Sequence, residues 1–275
     1  MKKILSLAVI AATFAGSAIA ADLPSKKKPL AAPVVVSPWD FVVGAGITTD
    51  YISRGITQSN HAASISATAE VNYAFSSTWQ AYANAAGYSI KFSPTAASPS
   101  VELDTAAGVR GTFGAFTTDV GVIAYNYPNS PVGPKPAYGE IYGKAGYAVT
   151  EAFSVGANYF YSPNYANLAT NGQYVSVTAK YVLPANFAVS GEFGRQILGT
   201  TKNGGFLDAG TKLVSYNLYN AGVSYTYKFA TLDARYYGTS LSKANCLVDN
   251  ASLSSYCGQR FVGTLSFAFT AKDVK

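Results

Sequence analysis

About twelve stretches, each roughly ten to fourteen residues long, alternate side-chain character at every second position. In Tyr174–Tyr181, Val175, Val177, Ala179 and Tyr181 share one face, and Tyr174, Ser176, Thr178 and Lys180 the other. Near the end of the chain, Phe261, Gly263, Leu265, Phe267 and Phe269 alternate with Val262, Thr264, Ser266 and Ala268. A strand places successive side chains on opposite faces, so each stretch reads as β. Strands are expected near 39–50, 62–75, 78–90, 101–113, 116–127, 138–149, 152–162, 173–183, 187–197, 216–229, 231–239 and 260–270.

The connections narrow the architecture further. Short ones (Phe75–Thr78, Phe113–Phe116, Val149–Ala152, Leu183–Asn186, Phe229–Thr231) alternate strictly with long ones at 51–61, 91–100, 128–137, 163–172, 198–215 and 240–259. A soluble sandwich has no reason to sort its loops by length. Outer-membrane barrels do, with short periplasmic turns, long external loops and an even strand number. The strands exceed the usual soluble length and suit a tilted crossing of the bilayer. Aromatic residues gather at strand ends, as Trp39, Phe41, Tyr73, Phe75, Tyr147, Phe153, Tyr227 and Phe229, where interfacial girdles belong. The expected fold is therefore all-β: a transmembrane up-and-down antiparallel barrel over 39–270. Closure leaves no backbone edge unpaired in lipid.

The ends of the chain carry other signals. Met1–Lys3 is basic, Ile4–Ala15 is mostly apolar, and Ala18-Ile-Ala20 fits a processing site, so 1–20 is expected to be a cleaved signal. Residues 21–38, rich in Ala, Pro and Lys, read as a periplasmic linker. Without Lys2 and Lys3 the net charge of +6 falls to +4, and half of that sits in the linker. A nucleic-acid partner is not expected from so small a charge on the folded part. Many outer-membrane barrels end on an aromatic residue, whereas here Thr270 and a short extension, 271–275, follow Phe269. Expected partners are outer-membrane lipid, the barrel assembly machinery and small hydrophilic solutes.

Cys246 and Cys257 are the two cysteines of an exported chain, and a disulfide is expected between them. With one histidine, His61, ligands for a metal are scarce, and neither a metal nor a cofactor is expected. A hydrolase would need a base beside a nucleophile. Ser64 lies three positions from His61, on the opposite face of a strand, and no Gly-x-Ser-x-Gly is present. No catalytic residue is assigned.

The polar face supplies candidate lumen charges: Glu70, Glu102, Asp104, Arg110, Asp119, Glu140, Lys144, Lys180, Glu192, Lys228, Asp233 and Arg235. Seven acids against five bases imply cross-strand pairing in a wet interior and weak selectivity, leaning toward cations. Twelve strands lie between filled eight-stranded barrels and open large porins. Tyr82, Tyr88, Tyr125, Tyr142 and Tyr174 on the same face are placed to obstruct a conduit, and loops folding inward would do so too.

Gly46-Ile-Thr-Thr-Asp50-Tyr-Ile-Ser-Arg54-Gly-Ile-Thr-Gln58-Ser, soon after the leader, resembles the opening motif of the TorF-type porins, the Gcw_chp proteins. The resemblance implies a single bacterial outer-membrane barrel, and many members have no established solute. It marks Asp50, Tyr51, Arg54, Gly55 and Gln58 as residues at the rim where the first strand leaves the membrane. There, these residues would form a structural clamp at the rim, with Gly55 permitting a turn, or else an Asp50–Arg54 pair shaping the pore mouth, or a polar site for a ligand. Three functions follow as expectations: a narrow, weakly selective porin; a closed structural or adhesive barrel working through its outer loops; and, third, a lipid hydrolase.

Overall fold

A computed structural model describes residues 37–92, 98–128, 130, 136–205, 207–250 and 255–270, with 247–250 as backbone only. The expected signal, nearly all of the linker and the extension 271–275 lie outside the described residues. Twelve strands close into one antiparallel barrel. They are β1 (Trp39–Thr48), β4 (Ser64–Ala74), β5 (Trp79–Ser89), β6 (Val101–Phe113), β7 (Phe116–Asn126), β8 (Tyr138–Ala148), β9 (Phe153–Ser162), β10 (Gly172–Val182), β11 (Phe187–Leu198), β12 (Tyr216–Tyr227), β13 (Ala230–Thr239) and β14 (Arg260–Thr270). Each pairs with its neighbour in sequence, and β1 closes the ring against β14. Two short strands, β2 (Ile52–Ser53) and β3 (Ile56–Thr57), form a separate hairpin, and a helix α1 (Lys243–Asn250) lies in the last long loop.

The alternation sets which side chains face outward and which face the bore. On β10, Val175, Val177 and Tyr181 are exposed on the outer face, while Tyr174 and Ser176 are buried in the bore. Val120, Val122, Ile141, Phe193 and Leu232 continue the apolar outer surface. At the short-turn end, Trp39 packs on Tyr73, Trp79 on Phe113, Phe153 on Tyr181, Phe187 on Tyr225, and Phe229 on Phe269. These pairs ring the short-turn end of the barrel, the arrangement of an aromatic girdle.

Val122 tests the assignment of that surface. It faces outward beside Ile141 of β8. Val122→Arg is expected to destabilise the barrel in vesicles by about 2–4 kcal/mol, the cost of a cation at the bilayer midplane. A denaturant midpoint unmoved by the substitution would mean that this face meets water.

One candidate charge is misplaced by the periodic reading. Lys228 is not in the lumen: β12 ends at Tyr227, and Lys228 is an exposed turn residue with φ 53°. A two-residue turn interrupts the strand period, so the inward parity of Asn220, Gly222, Ser224 and Thr226 does not extend to it.

Candidate functional site

The lumen is built from side chains at every second position, and the first long loop folds into it. After β1 the chain makes a hairpin, β2–β3, whose two-residue tip is Arg54–Gly55. Both tip residues have positive φ, 47° and 82°. Tight hairpins of this hand need that conformation, for which glycine is the natural choice. Gly55 is further required by space: a Cβ there would lie 2.5 Å from Thr239 Cγ2 and 3.3 Å from Leu218 Cβ.

From this tip Arg54 reaches across the bore. Its Nη1 and Nη2 donate to the two Glu140 carboxylate oxygens at 2.9 and 2.5 Å, and Nη1 also donates to Gln196 Oε1 at 3.1 Å. The guanidinium lies over Tyr174 at 4.8 Å and Phe160 at 5.4 Å. These partners stand on β8 to β11, the wall opposite β1 in the ring. Tyr51 is stacked on Tyr88, with centroids 4.7 Å apart, and donates to Glu102 Oε1 at 2.6 Å. Burial first, and then the Glu102 carboxylate, push the Tyr51 phenol well above its ordinary pKa, so it remains a donor.

The rim expectation is corrected here. Tyr51, Arg54 and Gly55 fold inward across the long-loop mouth of the barrel, where their partners stand two or three residues from the strand ends, but Asp50 and Arg54 do not pair. Asp50 stands at the hairpin base, where Oδ1 accepts from Thr57 Oγ1 and Ser59 Oγ. Its Oδ2 accepts from Arg260 Nη1 at 3.0 Å and lies 3.3 Å from His61 Nδ1. Arg54 follows Asp50 by four positions, and the hairpin turn sends their side chains to different places. Gln58 joins the base to the next loop: its N–H donates to the Tyr51 carbonyl, and its carbonyl accepts from Lys91 N–H.

The last loop braces this base. Cys246 and Cys257 are disulfide-bonded, and neighbouring Tyr256 accepts from both the Thr57 amide and Arg260 Nη2. Closing an eleven-residue separation removes freedom from the open chain worth about 2–3 kcal/mol. A Cys246→Ser/Cys257→Ser variant is expected to keep its barrel but show faster amide exchange in 50–58 and 239–260. Unchanged exchange would show that the bridge holds nothing at the hairpin.

The remaining candidates line the wall. Arg110 binds Glu70 through both terminal nitrogens at 2.7 and 2.9 Å, and Arg110 and Lys144 approach Asp119 at 3.5 and 3.9 Å. Tyr82 donates to Asp119, and the Tyr82 and Tyr142 hydroxyls contact one another. Further round, Glu192 accepts from Tyr174 and Asn220, while Arg235 binds Asp233, Asn220 and Ser190. Lys180 is half-buried on the inward face of β10. Glu102 and Asp104 are buried under the hairpin, and Asp104 Oδ1 has no hydrogen-bond partner among the described residues. Tyr82, Tyr88, Tyr125, Tyr142 and Tyr174 join one buried cluster with Tyr51.

Two residues escaped the sequence reading. Gln196 is fully buried beside Arg54, and its inward parity on β11 was the available signal, but its lack of charge hid it. Arg260 opens β14, and no local pattern connects it to Asp50, 210 positions earlier. The Ser59 hydroxyl engages Asp50 Oδ1 and the Ala62 carbonyl. It therefore does not present itself to His61, whose Nδ1 faces Asp50 and Arg260.

The model of the Gcw_chp family, described as "Bacterial protein of unknown function", matches residues 32–256. No curated protein matches the chain. Among solved structures, a chain from work on in-meso crystallization of membrane proteins aligns at TM-score 0.52 and 10% identity, over 84% of each chain. The NanC porin aligns at 0.48 and 10%, over 83% of this chain and 98% of its own. The KdgM porin aligns at 0.47 and 9%, over 84% and 99%.

Proposed function

The chain belongs to the Gcw_chp family of bacterial proteins, and we propose that it is an outer-membrane porin passing small hydrophilic solutes through a narrow, hairpin-constricted lumen. The observation that carries this reading is the contrast between the faces of the closed barrel. The outside is apolar and girdled, whereas the inside is lined with paired charges, amides and hydroxyls. A polar interior of this kind suits hydrated solutes. Within the described strands, inward acids and bases are interspersed rather than gathered into a ring of one sign, which favours weak selectivity. An export signal at 1–20, insertion by the barrel assembly machinery and contact with outer-membrane lipid belong to the same proposal.

Planar-bilayer recording of purified protein tests it. Discrete conductance steps with a reversal potential slightly on the cation side are expected; a bilayer that stays silent would retire the porin reading. The inserted hairpin favours a second reading, a closed barrel that works through its outer loops, and silence would leave that one standing. The hydrolase reading would return only with phospholipid or lipid A cleavage abolished by His61→Ala.

A further inference from the structure

We propose that the pocket holding Arg54 is a recognition site for a guanidinium-bearing solute, with Arg54 its tethered occupant and the solute its competitor. The lining fits a planar, delocalised cation. Glu140 meets the guanidinium with both carboxylate oxygens, so two N–H donors are satisfied at once, and Gln196 Oε1 accepts a further hydrogen bond. Tyr174, Phe160 and Tyr165 turn their rings to the cation, with centroids 4.8, 5.4 and 5.9 Å from its central carbon. An ammonium would keep the charge but lose the fork, so the pocket discriminates by shape as well as by sign.

Two features mark Arg54 as a displaceable occupant rather than a fixed part of the wall. Glu140, Gln196, Tyr174 and Phe160 stand on the barrel strands β8 to β11, whereas Arg54 comes from the hairpin β2–β3, a separate sheet of two residue pairs. Arg54 also holds φ 47° at a turn position that suits glycine or asparagine. The contacts of its side chain, not the turn, therefore account for an arginine there. The pocket is also close to the long-loop mouth: Glu140 is the third residue of β8, Gln196 lies two before the end of β11, and the Arg54 side chain keeps a 9% exposed edge. A solute arriving past the loops meets that edge first, and by taking the pocket it frees the hairpin tip.

The pocket is read from its contacts, so it stands whether or not the lumen conducts, and a silent bilayer would not count against it. Calorimetry and amide exchange on the full-length protein in detergent test it, with methylguanidinium, methylammonium and neutral methylurea as probes. Arg54→Gly vacates the pocket and keeps the turn, since glycine accepts a positive φ. That variant is expected to bind methylguanidinium at least about tenfold more tightly than methylammonium, as a lost hydrogen bond to a charged group implies. Methylurea should not bind, and adding Glu140→Gln should erase the preference between the cations. A tethered group acts at an effective concentration of roughly millimolar, so the native protein should bind methylguanidinium more weakly than Arg54→Gly does. In the native protein methylguanidinium, but not methylurea, should speed amide exchange over Ile52–Thr57. That arm needs no substitution, so a variant that fails to fold leaves the test intact. Equal affinity of Arg54→Gly for the two cations, a preference that survives Glu140→Gln, native binding as tight as that of the variant, or native exchange unmoved by methylguanidinium would overturn the assignment.

Discussion

Replacing Tyr51–Gln58 with a short glycine-serine bridge is expected to raise single-channel conductance several-fold, with the barrel still folded. The hairpin crosses the bore from the β1 end to the opposite wall, through Arg54 on Glu140 and Gln196. It also carries Tyr51, which with Tyr88 forms a stacked pair inside the lumen. No barrel strand is part of the replaced segment, because β1 pairs directly with β4 and β14 over Trp39–Thr48. The wall charges that remain, Glu70, Arg110, Asp119, Lys144, Glu192, Asp233 and Arg235, are held by one another and by neighbouring polar groups rather than by the hairpin. Removing it therefore opens cross-section without stripping partners from most of the lining. Heat-dependent migration on gels verifies the fold, and conductance equal to the native value would show that the hairpin does not limit passage.

The strands were legible because one physical rule, burial of every second side chain, operates along each of them. Tyr174 and Ser176 face inward and Val175 and Val177 outward as period two requires, and Tyr82, Tyr88, Tyr125 and Tyr142 follow the same rule. The rule fails wherever the chain leaves a strand. Lys228 inherits a false parity because its strand ends one residue before it. Asp50 and Arg54 are close in sequence and chemically complementary, yet each finds its partner on another element, Arg260 and Glu140. Such pairings join residues 86 and 210 positions apart, and only the closed ring brings them together. The helix α1 in the last loop was hidden for a related reason: eight residues are too few to display a helical period against a polar background.

The Arg54–Glu140 pair holds the hairpin down, and Arg54→Met is expected to release it. The two side chains are 9% and 0% exposed. Removing one partner from such a pair strands the other charge, at a cost of about 3–5 kcal/mol. The barrel itself does not lose this stability, because its strand ladders are intact without Arg54. The cost falls on docking, and it shifts the ratio of docked to undocked hairpin by roughly a hundredfold to several thousandfold. Faster amide exchange over Ile52–Thr57 and frequent transitions to a larger conductance are the expected readouts. Glu140→Gln in the same chain removes the stranded charge while keeping an acceptor for the Tyr125 hydroxyl, which lies 3.1 Å from Glu140 Oε2. The double variant should therefore dock better than Arg54→Met alone, and a double-mutant cycle reads the coupling directly. If Arg54→Met leaves exchange and current as they were, the hairpin is held by Tyr51 and the Asp50 base instead. The ion pair across the bore would then have no part in closing it.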